Sequence, residues 1–558
     1  MKQSLRMLTV GLLIVLVLGI AVPVSMAQDA SGLPASPNLT VDANGNIAYA
    51  AESCDYGGII QSITAVDPRT VQFQLCVQDG AFPQKVAFSS LGIQPLEHLV
   101  ATGGGGDLVN SPIGTGPYML QSWNLGNEVD LVRNDSYWGE PAHEPTAVIR
   151  WSSEAAARLV ELQAGTVDGI DNPGSGDFEV IANDPNLQLL PRPGLNVFYL
   201  GMNNTIAPFD NQLVRQAFAY AIDKQRIVDN YYPPGSSVAD QFMPPELFGY
   251  TASVEPFPYD PEHARELLAQ SGVTLPLEVT LNYRDRVRGY LPQPSIIAQD
   301  IQSQLAEVGI NVTIEVMESG AFLDAASAGQ LGLFMLGWGA DYPDATNFLD
   351  AHFGQGANDS FGTKDPTIVS LLNEAASTSD PDARLALYAQ ANEAIRDVAP
   401  MIPIAHGGSG TAYLARITGA QASPLGNESL AAMEDPNDDN IVFMQNGEPS
   451  GIYCADETDG ESLRVCEQIT ESLLAYEVGG TAVVPSLATD YSVSDDGLTW
   501  TFTLREATFH DGSAFDANDV VASYAVQWDA GSPLHVGRSG AFDYWTILFR
   551  AFLNAPAA

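Results

Sequence analysis

The sequence predicts an α/β protein of two or three folding units, exported from the cytoplasm, with a mostly parallel sheet in its middle. Three observations lead there. At 558 residues the chain is far longer than one domain of about 100 to 200 residues. Strand and helix periods alternate between Leu277 and Asp341, the pattern of a βαβ unit extended by another αβ step. Lys2 and Arg6, an apolar run from Leu8 to Ile20, and then Ser25-Met26-Ala27 form a secretory leader over residues 1–27.

The leader's apolar run is about 13 residues, short of the roughly 20 that span a bilayer. No cysteine stands at the cleavage site, so a lipoprotein anchor is not expected. Residues 29–46 are rich in Ser, Pro, Asn, Asp and Gly and predict a loose entry segment. Ile59–Ala65 and Val71–Val77 alternate around Asp67-Pro68-Arg69 and predict a hairpin. The four-glycine run Gly103–Gly106 lacks the Lys-Ser/Thr that completes a phosphate loop, so it predicts a surface turn.

Asp260, Pro261 and Gly272 supply the N-cap, first position and left-handed exit of a helix. In the alternating region Leu277–Tyr283, Val312–Val316 and Leu331–Trp338 predict strands, and Ile297, Ile301, Leu305 and Val308 one helical face. Another helix is predicted from Asp382 to Val398, before Pro400. Glu434–Asn440 reads as a solvated acidic linker, followed by a helix from Glu461 to Leu474. Asp496-Gly497 predicts a hairpin turn with Trp500, Phe502 and Leu504 alternating beyond it. Asp516 caps a helix through Val526, and the chain then stops without a closing element, as expected where a natural loop has been opened.

The net charge is −45, and a surface of that sign repels phosphate backbones, which excludes nucleic acid as a partner. Four cysteines in an exported chain favour disulfides over metal or redox chemistry. Three connectivities are open to Cys54, Cys76, Cys454 and Cys466, and the local pairs Cys54–Cys76 and Cys454–Cys466 are preferred. The seven histidines are dispersed and predict no metal or catalytic centre. His406 precedes Gly407-Gly-Ser-Gly410, but Thr411 breaks the nucleophile-elbow frame. Asp435, Asn437, Asp438 and Asp439 lack the frame of a calcium loop. No cofactor is expected.

Several runs resemble a known family. They are Gly114-Thr-Gly-Pro-Tyr-Met-Leu, Arg133-Asn-Asp-Ser-Tyr-Trp-Gly139, Val214-Arg-Gln-Ala-Phe-Ala-Tyr-Ala-Ile-Asp223, Tyr259-Asp-Pro261, Gly337-Trp-Gly-Ala-Asp-Tyr-Pro-Asp344, Asp495-Asp-Gly497-Leu-Thr-Trp-Thr-Phe-Thr-Leu-Arg505 and Phe509-His-Asp-Gly512. Together they resemble the family 5 solute-binding proteins of ABC importers, which take dipeptides, oligopeptides or nickel. The order departs from the family, because the Asp-Asp-Gly and Phe-His-Asp-Gly runs follow everything else. Circular permutation accounts for this, since core contacts do not depend on chain order; a truncated binding protein fused to the start of a second is the rival reading.

The resemblance implies a two-lobed fold like that of periplasmic binding proteins (type II, cluster C-like). On that pattern residues 28–203 form part of lobe I and 204–403 form lobe II. Residues 404–433 return to lobe I, and 434–558 are its permuted N-terminal part. It also implies a monomeric receptor, not an enzyme, lying outside the cytoplasmic membrane and handing short peptides to permease subunits.

A peptide is a zwitterion, and an Asp and an Arg in one cleft match its two ends. Ligands of open α/β sheets bind beyond the carboxyl ends of strands, where Asp341 and Arg288 stand. The resemblance gives Asp341 the α-amino group and Arg288 the carboxylate. Trp338 and Tyr342 are candidates for contact with the ligand, and Gly460, Glu461 and Ser462 open a helix whose free amides could face it. A nickel chelate or sugar on the same fold, and a secreted hydrolase, are the alternative readings.

Overall fold

The computed structural model describes residues 32–284, 288–378 and 380–555; the leader lies outside them. The described chain is built on three large sheets. The middle of the sequence closes a sheet of its own, in the order Ser237–Val238, Met401–His406, Asn196–Met202, Leu333–Gly339, Leu277–Arg284 and Ile310–Met317. Leu277–Arg284 runs parallel to both Ile310–Met317 and Leu333–Gly339. Helices Pro294–Glu307 and Ser319–Ser327 make the crossovers, so the alternating periods form the predicted βαβ arrangement. The sheet as a whole is mixed, not mostly parallel, because Asn196–Met202 runs antiparallel to Leu333–Gly339 and to Met401–His406, which also pairs antiparallel with Ser237–Val238. Asp260 caps the helix Pro261–Ser271 through the His263 amide, and Gly272 leaves it at φ 78°.

The other two sheets mix early and late sequence. One is antiparallel throughout, in the order Leu39–Val41, Ile47–Ala50, Ile60–Asp67, Thr70–Leu75, Thr499–Leu504 and Ala488–Val493. The other holds seven strands, in which Asn440–Gln445 lies between Thr146–Trp151 and Gly169–Asp171, parallel to both. The chain leaves this seven-stranded sheet between Arg192 and Asn196 and re-enters it between His406 and Ser409.

The strands Asn440–Gln445 and Thr499–Leu504 of the late segment are therefore internal to the fold. The helix Ala517–Trp528 is buried along its whole length, and Trp528 stacks on Trp545 with centroids 6.2 Å apart. The two disulfides are Cys54–Cys76 and Cys454–Cys466.

Three local expectations are corrected. Part of the entry segment is a hairpin, because the Asp42 carboxylate accepts the Asn44 and Asn46 amides at 2.8 and 2.9 Å and Gly45 takes φ 87°. The helix expected to reach Leu474 ends at Ile469. There the chain turns so that Glu471 can accept hydrogen bonds from Thr115, Tyr137 and Trp138 at 2.7 to 2.8 Å. In the stretch Glu434–Asn440, otherwise mostly exposed as expected, Asp435 departs from a solvated linker: it is 3% exposed and bonds Arg416 at 2.6 Å.

Phe502 is fully buried in the strand Thr499–Leu504, its ring 5.7 Å from Phe73 on the neighbouring early strand. Phe502→Ala should lower unfolding free energy by about 3 to 5 kcal/mol. Urea titration checks it, and a loss under about 1 kcal/mol would mean that the late strand is not core.

Candidate functional site

The strand Leu333–Gly339 delivers a loop, Ala340 to Asp344, to the space between the middle segment and the flanking segments. Asp341 and Asn347 pair reciprocally. The Asp341 amide donates to Asn347 Oδ1 at 2.9 Å, and Asn347 Nδ2 donates to Asp341 Oδ2 at 2.9 Å. Burial pushes the Asp341 carboxyl above its usual range, opposed by the Asn347 donor.

Asp341 stands where two chambers meet. The smaller, of about 280 Å³, is also lined by Gly460, Glu461, Glu467, Arg464, Tyr476 and Tyr544. The larger, of about 680 Å³, is also lined by Trp338, Tyr342, Asp79, Lys85, Asp350 and Arg550. Both draw walls from the middle segment and from segments before and after it.

In the smaller chamber the two arginines already have carboxylate partners. Arg192 and Arg464 bond Asp171 at 2.9 and 3.0 Å, Arg464 bonds Glu428 at 3.0 Å, and Arg192 also pairs with Glu428. Burial alone would raise the Asp171 carboxyl, but Arg464 and Arg192 hold it below its usual value. Glu467 is pushed up to about 7 by burial. The chamber therefore offers carboxyl oxygens to a ligand more readily than guanidinium groups.

Of the residues singled out in the sequence, the structure brings Asp341, Gly460 and Glu461 together in the smaller chamber, and Asp341, Trp338 and Tyr342 in the larger. Trp338 donates to Asn347 Oδ1 at 3.4 Å and meets His352 edge-on at 4.9 Å. Ser462 faces inward: its amide and hydroxyl donate to Asp459, and its Oγ accepts the Ser450 amide at 2.9 Å. Arg288 is exposed, paired through its backbone with Leu291, and lines neither chamber.

Glu467, Arg192, Arg464, Tyr476 and Tyr544 were not singled out from the sequence. They lie far from Asp341 in the chain and carry no local motif.

Asp350, in the larger chamber, has one buried oxygen without a hydrogen-bond partner, and burial pushes its carboxyl up to about 8. Because the folded value lies above the unfolded one, the folded protein holds the extra proton between about pH 4 and 8, and stability falls as pH rises through that window. Asp350→Asn should remove this slope, gaining more in melting temperature at pH 8.5 than at pH 5. Equal shifts at both pH values would show that Asp350 is ionised in the folded state.

The family model described as bacterial extracellular solute-binding proteins, family 5 Middle, matches residues 33–360 and 482–541. Heme-binding protein A of Haemophilus influenzae is 30% identical over 378 residues, 67% of this chain and 69% of that protein. Di/tripeptide-binding protein 1 of Pseudomonas aeruginosa is 32% identical over 354 residues, 62% of this chain and 66% of that protein. The chain thus spans about two thirds of the length of these curated relatives. The solved structure of HbpA2 from Haemophilus parasuis superposes with a TM-score of 0.64 at 30% identity, covering 67% of this chain and 75% of that one. Among the described residues no helix is long and apolar enough to cross a membrane.

Proposed function

The chain belongs to the bacterial extracellular solute-binding proteins of family 5, and from that premise we propose that it captures short peptides between two lobes and presents them to an ABC importer. Lobe II is the middle segment, about residues 196–406, and lobe I is everything else. The order of the parts is that of a circular permutation, a reading supported by the late strands Asn440–Gln445 and Thr499–Leu504, each flanked by strands of the first 200 residues or their own hairpin partner. The protein acts as a receptor outside the cytoplasmic membrane and carries out no turnover.

The observation that carries the reading is Asp341. Its carboxylate is oriented by Asn347 and stands at the junction of two chambers whose walls come from both lobes. A peptide's α-ammonium, desolvated on closure, would find there an acceptor that burial has already made hungry for positive charge. The name of the Pseudomonas relative, a di/tripeptide-binding protein, supports the same ligand class. Arg288 keeps its proposed role at the carboxylate only if the loop that carries it moves toward the cleft on binding.

Asp341→Asn should cost about 3 to 5 kcal/mol of binding, as for a broken buried ion pair, which is at least about 100-fold in affinity. Calorimetry with Ala-Leu and with N-acetyl-Ala-Leu checks it, since the acetylated peptide should bind wild type as poorly as Ala-Leu binds the variant. Equal affinity of wild type and variant for Ala-Leu removes Asp341 from the site. The name of the Haemophilus relative makes heme the rival ligand. A Soret shift on adding heme, with no heat from the peptide, would replace the peptide reading.

A further inference from the structure

A receptor that opens and closes needs contacts that exist in one state only, and a contact between the two lobes lies beside Asp341. It rests on the two-lobe reading above. The tip Asp79-Gly80-Ala81, just beyond the Cys54–Cys76 bridge, projects from lobe I against helices Pro366–Ala376 and Pro381–Val398 of lobe II. The Gly80 amide donates to the Ala376 carbonyl at 3.0 Å. The Gly80 carbonyl accepts from Arg384 Nη1 at 3.2 Å.

Arg384 is 2% exposed, and all five of its N–H donors are engaged. Nε donates to the Ala375 carbonyl at 3.1 Å, and Nη1 and Nη2 grip Asp344 at 3.1 and 3.0 Å. Nη2 also donates to the Tyr388 hydroxyl at 3.0 Å, and the remaining Nη1 donor crosses to Gly80. Asp344, fully buried, accepts from the Thr346 amide and hydroxyl at 3.0 and 2.8 Å, three residues along the loop from Asp341. Beside it Lys85, paired with Asp79 at 2.7 Å, sits 5.5 Å from the centre of the Tyr342 ring. One guanidinium therefore braces the loop that carries Asp341 and holds the backbone of the opposite lobe.

We propose that Gly80 and Arg384 form the latch of the closed state, with Arg384 as a positioning residue that acts on the ligand through Asp344. The latch requires glycine. A Cβ on Gly80 would stand 2.7 Å from the Thr378 carbonyl oxygen and 2.8 Å from Arg384 Nε, both in the opposite lobe. Gly80 itself is outside the left-handed region, so alanine fits its own backbone when the lobes are apart. Gly80→Ala therefore opposes closure while leaving each lobe intact.

The apparent affinity of such a receptor scales with the fraction that is closed, so Gly80→Ala should weaken Ala-Leu binding by about tenfold or more. Small-angle X-ray scattering of the mature chain without ligand should show a larger radius of gyration for the variant than for wild type, at unchanged melting temperature. Equal radii together with equal affinity overturn the latch.

If the variant melts early, hydrogen exchange on wild type decides. The Gly80 amide should exchange faster than the Phe502 amide and slow on adding Ala-Leu or, if Ala-Leu does not bind, whichever ligand does. An amide as protected as that of Phe502, and insensitive to ligand, overturns the latch. The scattering arm contains no peptide, so a variant that opens while nothing binds Ala-Leu keeps the latch and removes the peptide reading. Peptide binding with no difference between the two proteins does the reverse.

Discussion

Four buried charges hold the architecture and the site in one piece. Asp171 and Arg192 come from the early part of the chain, Glu428 from the return segment and Arg464 from a late helix, and Arg464 lies 293 residues from Asp171. Two positive and two negative groups in direct contact compensate each other. Replacing such a network with apolar side chains is often neutral for stability, but removing one member strands the others. Its consequence is therefore more about register than energy: the late helix can lie in only one place relative to Asp171 and Arg192, and that place forms one wall of the smaller chamber.

The glycine motif Gly114-Thr-Gly-Pro does the same by sterics. The Gly116 amide donates to the Ile469 carbonyl at 2.9 Å, and the His510 amide donates to the Gly114 carbonyl at 2.9 Å. A Cβ on Gly114 would fall 1.9 Å from the Ile469 oxygen, so no other residue lets the two backbones meet. The Gly114-Thr-Gly-Pro run thereby joins the early chain to two late segments, at Ile469 and at His510. Buried charge acts at the middle of the helix Gly460–Ile469, at Arg464, and close backbone contact at its last residue, Ile469, and together they bind this helix to the early part of the chain.

Much of this was legible in the sequence, for reasons that differ by element. The parallel strands from Leu277 to Gly339 announced themselves because helical and strand periods alternate there over short distances. Asp341 could be found because strand-end loops are where side chains converge, and Gly460 and Glu461 because a helix start leaves amides unpaired. The end of that helix was misjudged, since Glu471 is drawn to Thr115, Tyr137 and Trp138, partners more than 300 residues away. The same limit hid Glu467, Arg192 and Arg464: each is ordinary in its own neighbourhood, and only the packed sheet sets it beside Asp341. Arg288 illustrates the converse, a residue with suggestive neighbours whose backbone turn leaves it on the surface.

The chambers also differ electrostatically from the surface of a protein of net charge −45. Carboxylates on the surface are screened within about 8 to 10 Å at physiological salt and give little discrimination. Those lining the chambers are different, because Asp341 is raised by burial, Glu467 lies at about 7 and Asp350 at about 8. Near neutral pH part of this lining holds protons instead of bare charge, which keeps the empty space from being intolerably anionic. A cationic group that enters lowers those values again and displaces protons. A neutral solute of the same size gives no such displacement.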